Sequence, residues 1–191
     1  MKKKASFLLA LTVLLTGCTA QEPTEYIQSQ YDKVASAEME AEVTLHLPEE
    51  NRTFTFVCRY AAQGETTVMI LAPEELRGVT AVVEGEQLTV SYEDMMLPAG
   101  TLDTVCPANV LPFLLRQLAG GYVMAWGEEN REGVDCCCLT LDDEHNRSTV
   151  WIEKSSLLPR FASIAGTDGK EVLSVRMLTF DCTTAKESTE G

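Results

Sequence analysis

Between Ala41 and Cys182 most of the sequence alternates with a period of two, interrupted at short intervals by turn residues. That pattern constrains the fold more than any other feature, because alternate residues of a strand face opposite sides of a sheet. Val43, Leu45 and Leu47 alternate with Glu42, Thr44 and His46, and Pro48-Glu49-Glu50-Asn51 reads as a turn. Phe54, Phe56, Cys58 and Tyr60 then share one face of the next strand, with Thr53, Thr55, Val57 and Arg59 on the other. Residues 67–72 make a further strand, and Pro73 to Gly78 interrupts it. Val79–Glu84 and Gln87–Tyr92 form a hairpin around Gly85-Glu86, and Met95-Met96-Leu97 reads as a short edge strand. After a break, strands return at 122–126, 133–141, 148–154 and 157–164, and a long one at 171–182 follows the Thr167-Asp168-Gly169 turn. Repeated short links favour antiparallel pairing over βαβ crossovers. The expected class is α+β, mainly β, with an open, curved antiparallel sheet of about ten strands, since a sheet that wide must curl.

Two segments break the alternation. Ile27, Tyr31 and Val34 fall at i, i+4 and i+7, which predicts an amphipathic helix over roughly 24–38, opened by Pro23 and Thr24. Pro107-Ala108-Asn109 introduces Val110, Leu111, Phe113, Leu114, Leu115 and Leu118, closed by Gly120-Gly121. This second helix is apolar around too much of its circumference to lie on a wet surface. Leu111, Phe113, Leu114, Leu115 and Leu118 are therefore the candidate lining of an apolar hollow between helix and sheet. Met69, Met95, Met96, Met124 and Met177 would add adaptable surface to it. Plain core packing is the alternative reading of the same residues.

The amino end carries a different signal. Lys2, Lys3 and Lys4 precede Phe7-Leu8-Leu9-Ala10-Leu11-Thr12-Val13-Leu14-Leu15, an apolar run of secretory length that is short for a permanent span. It ends in Leu15-Thr16-Gly17-Cys18, which resembles the lipobox of bacterial lipoproteins. The resemblance implies a signal peptide over residues 1–17, cleavage between Gly17 and Cys18, and a diacylglycerol thioether on Cys18. Two acyl chains, at about 0.8 kcal/mol per buried CH₂, hold a protein on a membrane where one does not. The expected location is extracytoplasmic, anchored to the cell membrane, with residues 18–23 as tether, 24–182 as the folded domain and 183–191 as a disordered polar tail.

Charge narrows the partners. The formal net charge is −14, and the segment read as a signal peptide holds three lysines and no acid, so its removal makes the chain more negative still. Nucleic-acid binding through phosphates is excluded, and anionic lipid head groups repel such a chain. A basic or apolar partner fits better than an acidic one.

Seven cysteines occur. Apart from Cys18 these are Cys58, Cys106, Cys136, Cys137, Cys138 and Cys182, and an oxidising compartment permits pairing without requiring it. In the Cys136-Cys137-Cys138 triplet, strand geometry puts Cys136 and Cys138 on one face and Cys137 on the other. A disulfide from Cys136 or Cys138 to Cys58, Cys106 or Cys182 is one reading, and small buried apolar residues the other. No Cys-x₂-Cys pair is present and no metal or cofactor is expected. His46 falls on a strand and His145 in a turn, neither within a nucleophile motif, so no catalytic residues are expected. Asp142-Asp143-Glu144 departs from the calcium-loop pattern and reads as a solvated hairpin tip.

Several stretches together carry a family likeness: the N-terminal helix before paired strands, Ala72-Pro73-Glu74-Glu75-Leu76-Arg77-Gly78-Val79-Thr80, Gly85 to Tyr92, the Leu111–Leu118 helix, and Leu157-Leu158-Pro159-Arg160. Over residues 24–182 the chain resembles the LolA/LolB-like lipoprotein-carrier superfamily, in a lipidated, GerS-like form of clostridial-type Gram-positive bacteria. The resemblance implies an open half-barrel with helices packed on its concave face. It also implies a non-enzymatic function: binding of a lipid or acyl chain in the hollow, or docking on a cell-envelope protein; separately, an exposed strand edge would allow a homodimer. A permanent anchor is a departure from a shuttling carrier, which favours static binding or regulation.

Overall fold

The computed structural model describes residues 23–85, 87–101, 105–143 and 145–185. The signal peptide read over 1–17, the Gly17–Cys18 cleavage point, the lipid site at Cys18 and the tether up to Glu22 lie outside the described residues, as does the tail beyond Ala185.

The chain opens with helix α1 (Pro23–Tyr31) and runs directly into strand β1 (Val34–Leu45). The helix predicted to reach residue 38 thus ends at Tyr31. The reason is a coincidence of periods. Val34 continues the helical spacing of Ile27 and Tyr31, yet it is also buried at the start of β1, where a register shift before Ser36 leads into the alternating inward set Ala37, Met39, Ala41 and Val43. Ladders on both sides of β1 outweigh the helix propensity of Glu38, Met39 and Glu40. Strands β2 (Arg52–Ala61), β3 (Thr66–Ala72), β4 (Thr80–Glu84), β5 (Gln87–Tyr92) and β6 (Met95–Thr101) follow as a meander, with a single 3-10 turn at Glu74–Leu76. Helix α2 (Val110–Gly120) leads to β7 (Tyr122–Arg131), β8 (Val134–Asp142), β9 (Arg147–Glu153), β10 (Pro159–Ala165) and β11 (Glu171–Thr184).

All eleven strands form one open antiparallel sheet in the order β6-β5-β4-β3-β2-β1-β11-β10-β9-β8-β7. The sheet is two meanders joined where the first and last strands pair, and α2 lies in the chain between one edge strand and the other. β11 runs beyond the expected Cys182, because Thr183 and Thr184 pair with Ser36 and Val34. The Ser36 and Thr183 hydroxyls share a 2.7 Å hydrogen bond.

Register explains which residues meet on the concave face. One row runs outward from the centre as Met39, Cys58, Val68, Ala81, Val90 and Leu97. A second runs the other way as Val43, Val175, Ala162, Val150, Leu139 and Trp126. Both rows are buried at the centre and end in exposed side chains, Leu97 on β6 and Trp126 on β7. The two helices pack on this face, so core residues of the sheet and of both helices form one continuous cluster. A small separate cluster of Cys136, Trp151 and Phe161 occupies the convex face. Arg131 covers it, its guanidinium carbon 3.9 Å from the centre of the Trp151 ring.

Candidate functional site

α2 is the element that decides how much room the concave face retains. Val110, Leu111, Pro112, Phe113, Leu114, Leu115 and Leu118 are all buried, whereas Arg116 faces solvent. A helix buried on nearly its whole circumference needs partners above and below. The sheet is below, and α1 packs alongside. The Gln28 side-chain amide donates to the Gly121 carbonyl at 2.7 Å, fixing the end of α2 against α1. No side-chain acceptor caps α2 at Asn109; the Asn109 Oδ1 instead accepts from the Cys106 backbone N–H at 2.8 Å.

Of the five candidate pocket residues, Leu111, Leu114, Leu115 and Leu118 converge on one slot with Met39, Val175 and Met177 from the sheet. Phe113 is buried elsewhere on the helix and does not line that slot. The slot encloses about 10 Å³. That is about the space of one water and far below the several hundred Å³ of a small-molecule pocket. The apolar side chains of α2 themselves fill the hollow, and an acyl chain entering here has to displace them. Of the methionines, Met177 lines the slot, Met69 is half-buried, and Met95, Met96 and Met124 are exposed.

A larger apolar cleft, of about 180 Å³, lies where α1 meets the β9–β10 loop. Gln30 and Tyr31 of α1, Ser156 to Leu158 of that loop, and Phe180 and Cys182 of β11 line it. Its walls are held by specific bonds. The Tyr31 hydroxyl donates to the Leu157 carbonyl at 2.7 Å, and its ring meets Phe180 edge-on at 6.4 Å. Burial pushes the Tyr31 hydroxyl well above its ordinary pKa, so it stays a donor. Leu157 has φ +58°, a left-handed conformation that is costly for a branched side chain. Next to it, one Glu153 carboxylate oxygen accepts from Arg160 Nε and Nη2 at 3.0 and 2.7 Å and from Ser156 Oγ at 2.6 Å. These hydrogen bonds, from Ser156 first, lower the Glu153 pKa. The alternation pattern gives no sign of this cleft, because a positive φ at leucine leaves no mark in sequence.

The cysteines are dispersed. All six described ones are free thiols. Cys58 and Cys182 belong to strands on opposite sides of β1, opposite Met39 and Ala37. Cys136 is on the convex face with Trp151, Cys137 in the main core, and Cys106 just before α2. Burial pushes the Cys58 thiol up to about 12 and that of Cys138 to about 11, so neither is an activated nucleophile. His46 bonds Ser174 Oγ at 2.9 Å and lies 3.0 Å from Glu171, so these contacts join it to a hydroxyl and a carboxylate and not to a thiol. Among the described residues, no group of three or more His, Cys, Asp or Glu is placed to hold a metal ion. At the β8–β9 turn, the Asp143 carboxylate accepts from the His145 and Asn146 backbone N–H groups at 2.8 and 2.7 Å, while Asp142 faces Arg147 at 3.5 Å. No described helix is long and apolar enough to cross a membrane.

At both edges the sheet leaves large apolar side chains in water. Tyr92, Met95, Met96 and Leu97 are exposed at the β5–β6 edge, and Tyr122, Met124 and Trp126 on β7. Those at β5–β6 lie beyond Ala81, Val83 and Leu88, the last buried inward residues on that side.

No protein family matches the chain, and no curated protein matches it. Solved structures do resemble it. A DUF1329 family protein from Desulfovibrio piger is 13% identical with a TM-score of 0.52, over 83% of this chain and 90% of that one. An uncharacterised conserved protein from Thermus thermophilus is 11% identical with a TM-score of 0.51, over 84% and 86%. A LolA superfamily protein from Nitrosomonas europaea is 12% identical with a TM-score of 0.46, over 85% and 94%. At such identities the first two likenesses are ones of fold, spanning nearly the whole of each of those chains.

Proposed function

We propose that this chain is an extracytoplasmic lipoprotein, anchored through Cys18, that acts without enzymatic chemistry by docking on a protein of the cell envelope. One observation carries the reading. Where a carrier of this architecture would hold a lipid, the apolar side chains of α2 leave a slot of only about 10 Å³, while large apolar side chains stand exposed at the sheet edges. Binding surface is therefore outside the hollow rather than within it. A GerS-like layout with a permanent anchor, as the sequence resemblance implies, fits this reading better than transport between membranes. Palmitate labelling of the full chain tests the anchor: label is expected on the parent and lost in Cys18→Ala. Chemical cross-linking in intact cells tests docking: a discrete heteromeric adduct is expected, and exclusively monomeric protein overturns the reading.

A second reading has its own observation. The Tyr31–Leu157–Phe180 cleft, of about 180 Å³ and mostly apolar, suits the end of an acyl chain. Native mass spectrometry with an added palmitoylated peptide is expected to show a 1:1 adduct that Phe180→Ala weakens; absence of any adduct discards this reading.

A further inference from the structure

The wing formed by β3 to β6 combines two properties that point to one kind of partner. Its concave row ends in Val90 and Leu97, and the neighbouring pair Tyr92 and Met95 faces the same side. Leu97 is 64% exposed and Met95 60%, although Ala81 and Leu88, elsewhere on the same face, are buried. The charge of this wing is of one sign: Glu74, Glu75, Glu93 and Asp94 lie at the strand end that carries Tyr92 and Met95, Glu65 and Glu84 lie at the other end, and all are exposed. Arg77 is the sole Lys or Arg between residues 62 and 101, and it pairs with Glu74 at 2.8 Å. Glu93 and Asp94 form the β5–β6 turn itself, directly beside Tyr92 and Met95.

We infer that the Tyr92–Met95–Leu97 strip is the docking surface for a cationic, apolar-bearing polypeptide segment of an envelope partner. This rests on the docking reading above and names its surface and chemistry. An apolar centre excludes water while a rim of acids steers and registers Lys or Arg side chains. Exposed methionine adapts to varied side chains without a fixed shape. A second copy of this chain is a poor occupant, because two such wings repel and the whole chain has a net charge of −14. Anionic lipid head groups are repelled in the same way. Addition of a strand along β6 is blunted by Pro98, which has no N–H to offer. The segment therefore lies on the concave side of the wing, next to the part that the chain's own residues cover.

Photo-cross-linking of the full chain in its native host tests this, with benzoylphenylalanine replacing Leu97 in one form and Trp126, on the opposite edge, in another. The expected result is an adduct from position 97 whose cross-linked partner peptide is rich in Lys or Arg. Its yield is expected to fall at least fivefold when Glu93→Lys and Asp94→Lys are added, and the adduct from position 126 to be at least fivefold weaker. An adduct from 126 with none from 97 overturns the surface but leaves docking intact. An adduct to a second copy, to lipid or to an acidic peptide, or one indifferent to the charge reversal, overturns the inference. No adduct from either position overturns the inference and the docking reading together.

Discussion

The centre and the β5–β6 margin of the concave face use the same strand alternation and meet different surroundings. Under α1 and α2, the inward residues of β1 to β4 and of β8 to β11 meet apolar side chains and are sealed. On the β5–β6 wing the same pattern continues outward to Tyr92, Met95 and Leu97, which are exposed among the described residues. Burial depends on what lies opposite, not on the pattern. The sealed centre is where stability resides, and the open margin is where an external partner finds apolar surface without any unfolding.

This contrast is broken most sharply by truncating the seal. Leu118→Ala, at a fully buried position, is expected to cost about 2–5 kcal/mol in urea denaturation. A loss under about 0.5 kcal/mol would mean that α2 is not the filling of the hollow. Alkaline pH probes the same centre. Cys58 ionises at its ordinary 9 in the unfolded chain but at about 12 in the fold. The folded state then holds the proton that the unfolded one releases, so stability falls as pH rises from 9 towards 12. The contribution is at most about 1.4 kcal/mol per pH unit. Cys58→Val is expected to flatten that slope in denaturation series, and an unchanged slope would assign it to other groups. Tyr31→Phe removes the bond to the Leu157 carbonyl and is expected to cost about 1 kcal/mol by the same assay. Arg131→Ala strips the cover from Trp151 on the convex face, at about 0.5–1 kcal/mol, with a shift in tryptophan fluorescence. The smallest effect belongs to the wing: Leu97→Ala is expected to change stability by no more than about 0.5 kcal/mol.

Much of this was legible in sequence. Alternation at Val43–Leu47 and Phe54–Tyr60, the Gly85-Glu86 hairpin and the Met95–Leu97 edge strand each placed their elements, because period two and turn residues are local signals. The apolar circumference of Val110–Leu118 correctly implied insertion against the sheet. Two things were not legible. Periodicity cannot tell a filled hollow from an open one, since Leu111 and Leu118 are equally apolar in either. It also cannot find the Leu157 cleft, whose shape depends on contacts between residues far apart in the chain, such as Tyr31 and Leu157. The Ile27–Tyr31–Val34 spacing misled, because Val34 satisfies a helix and a strand at once.

Amide hydrogen exchange of the full chain, read with and without a palmitoylated peptide, tests the central claim most directly. A hollow already filled by α2 predicts that amides 110–120 keep the same protection in both conditions. Loss of protection across 110–120 on adding the acylated peptide, with α2 leaving the sheet to admit it, would contradict the account.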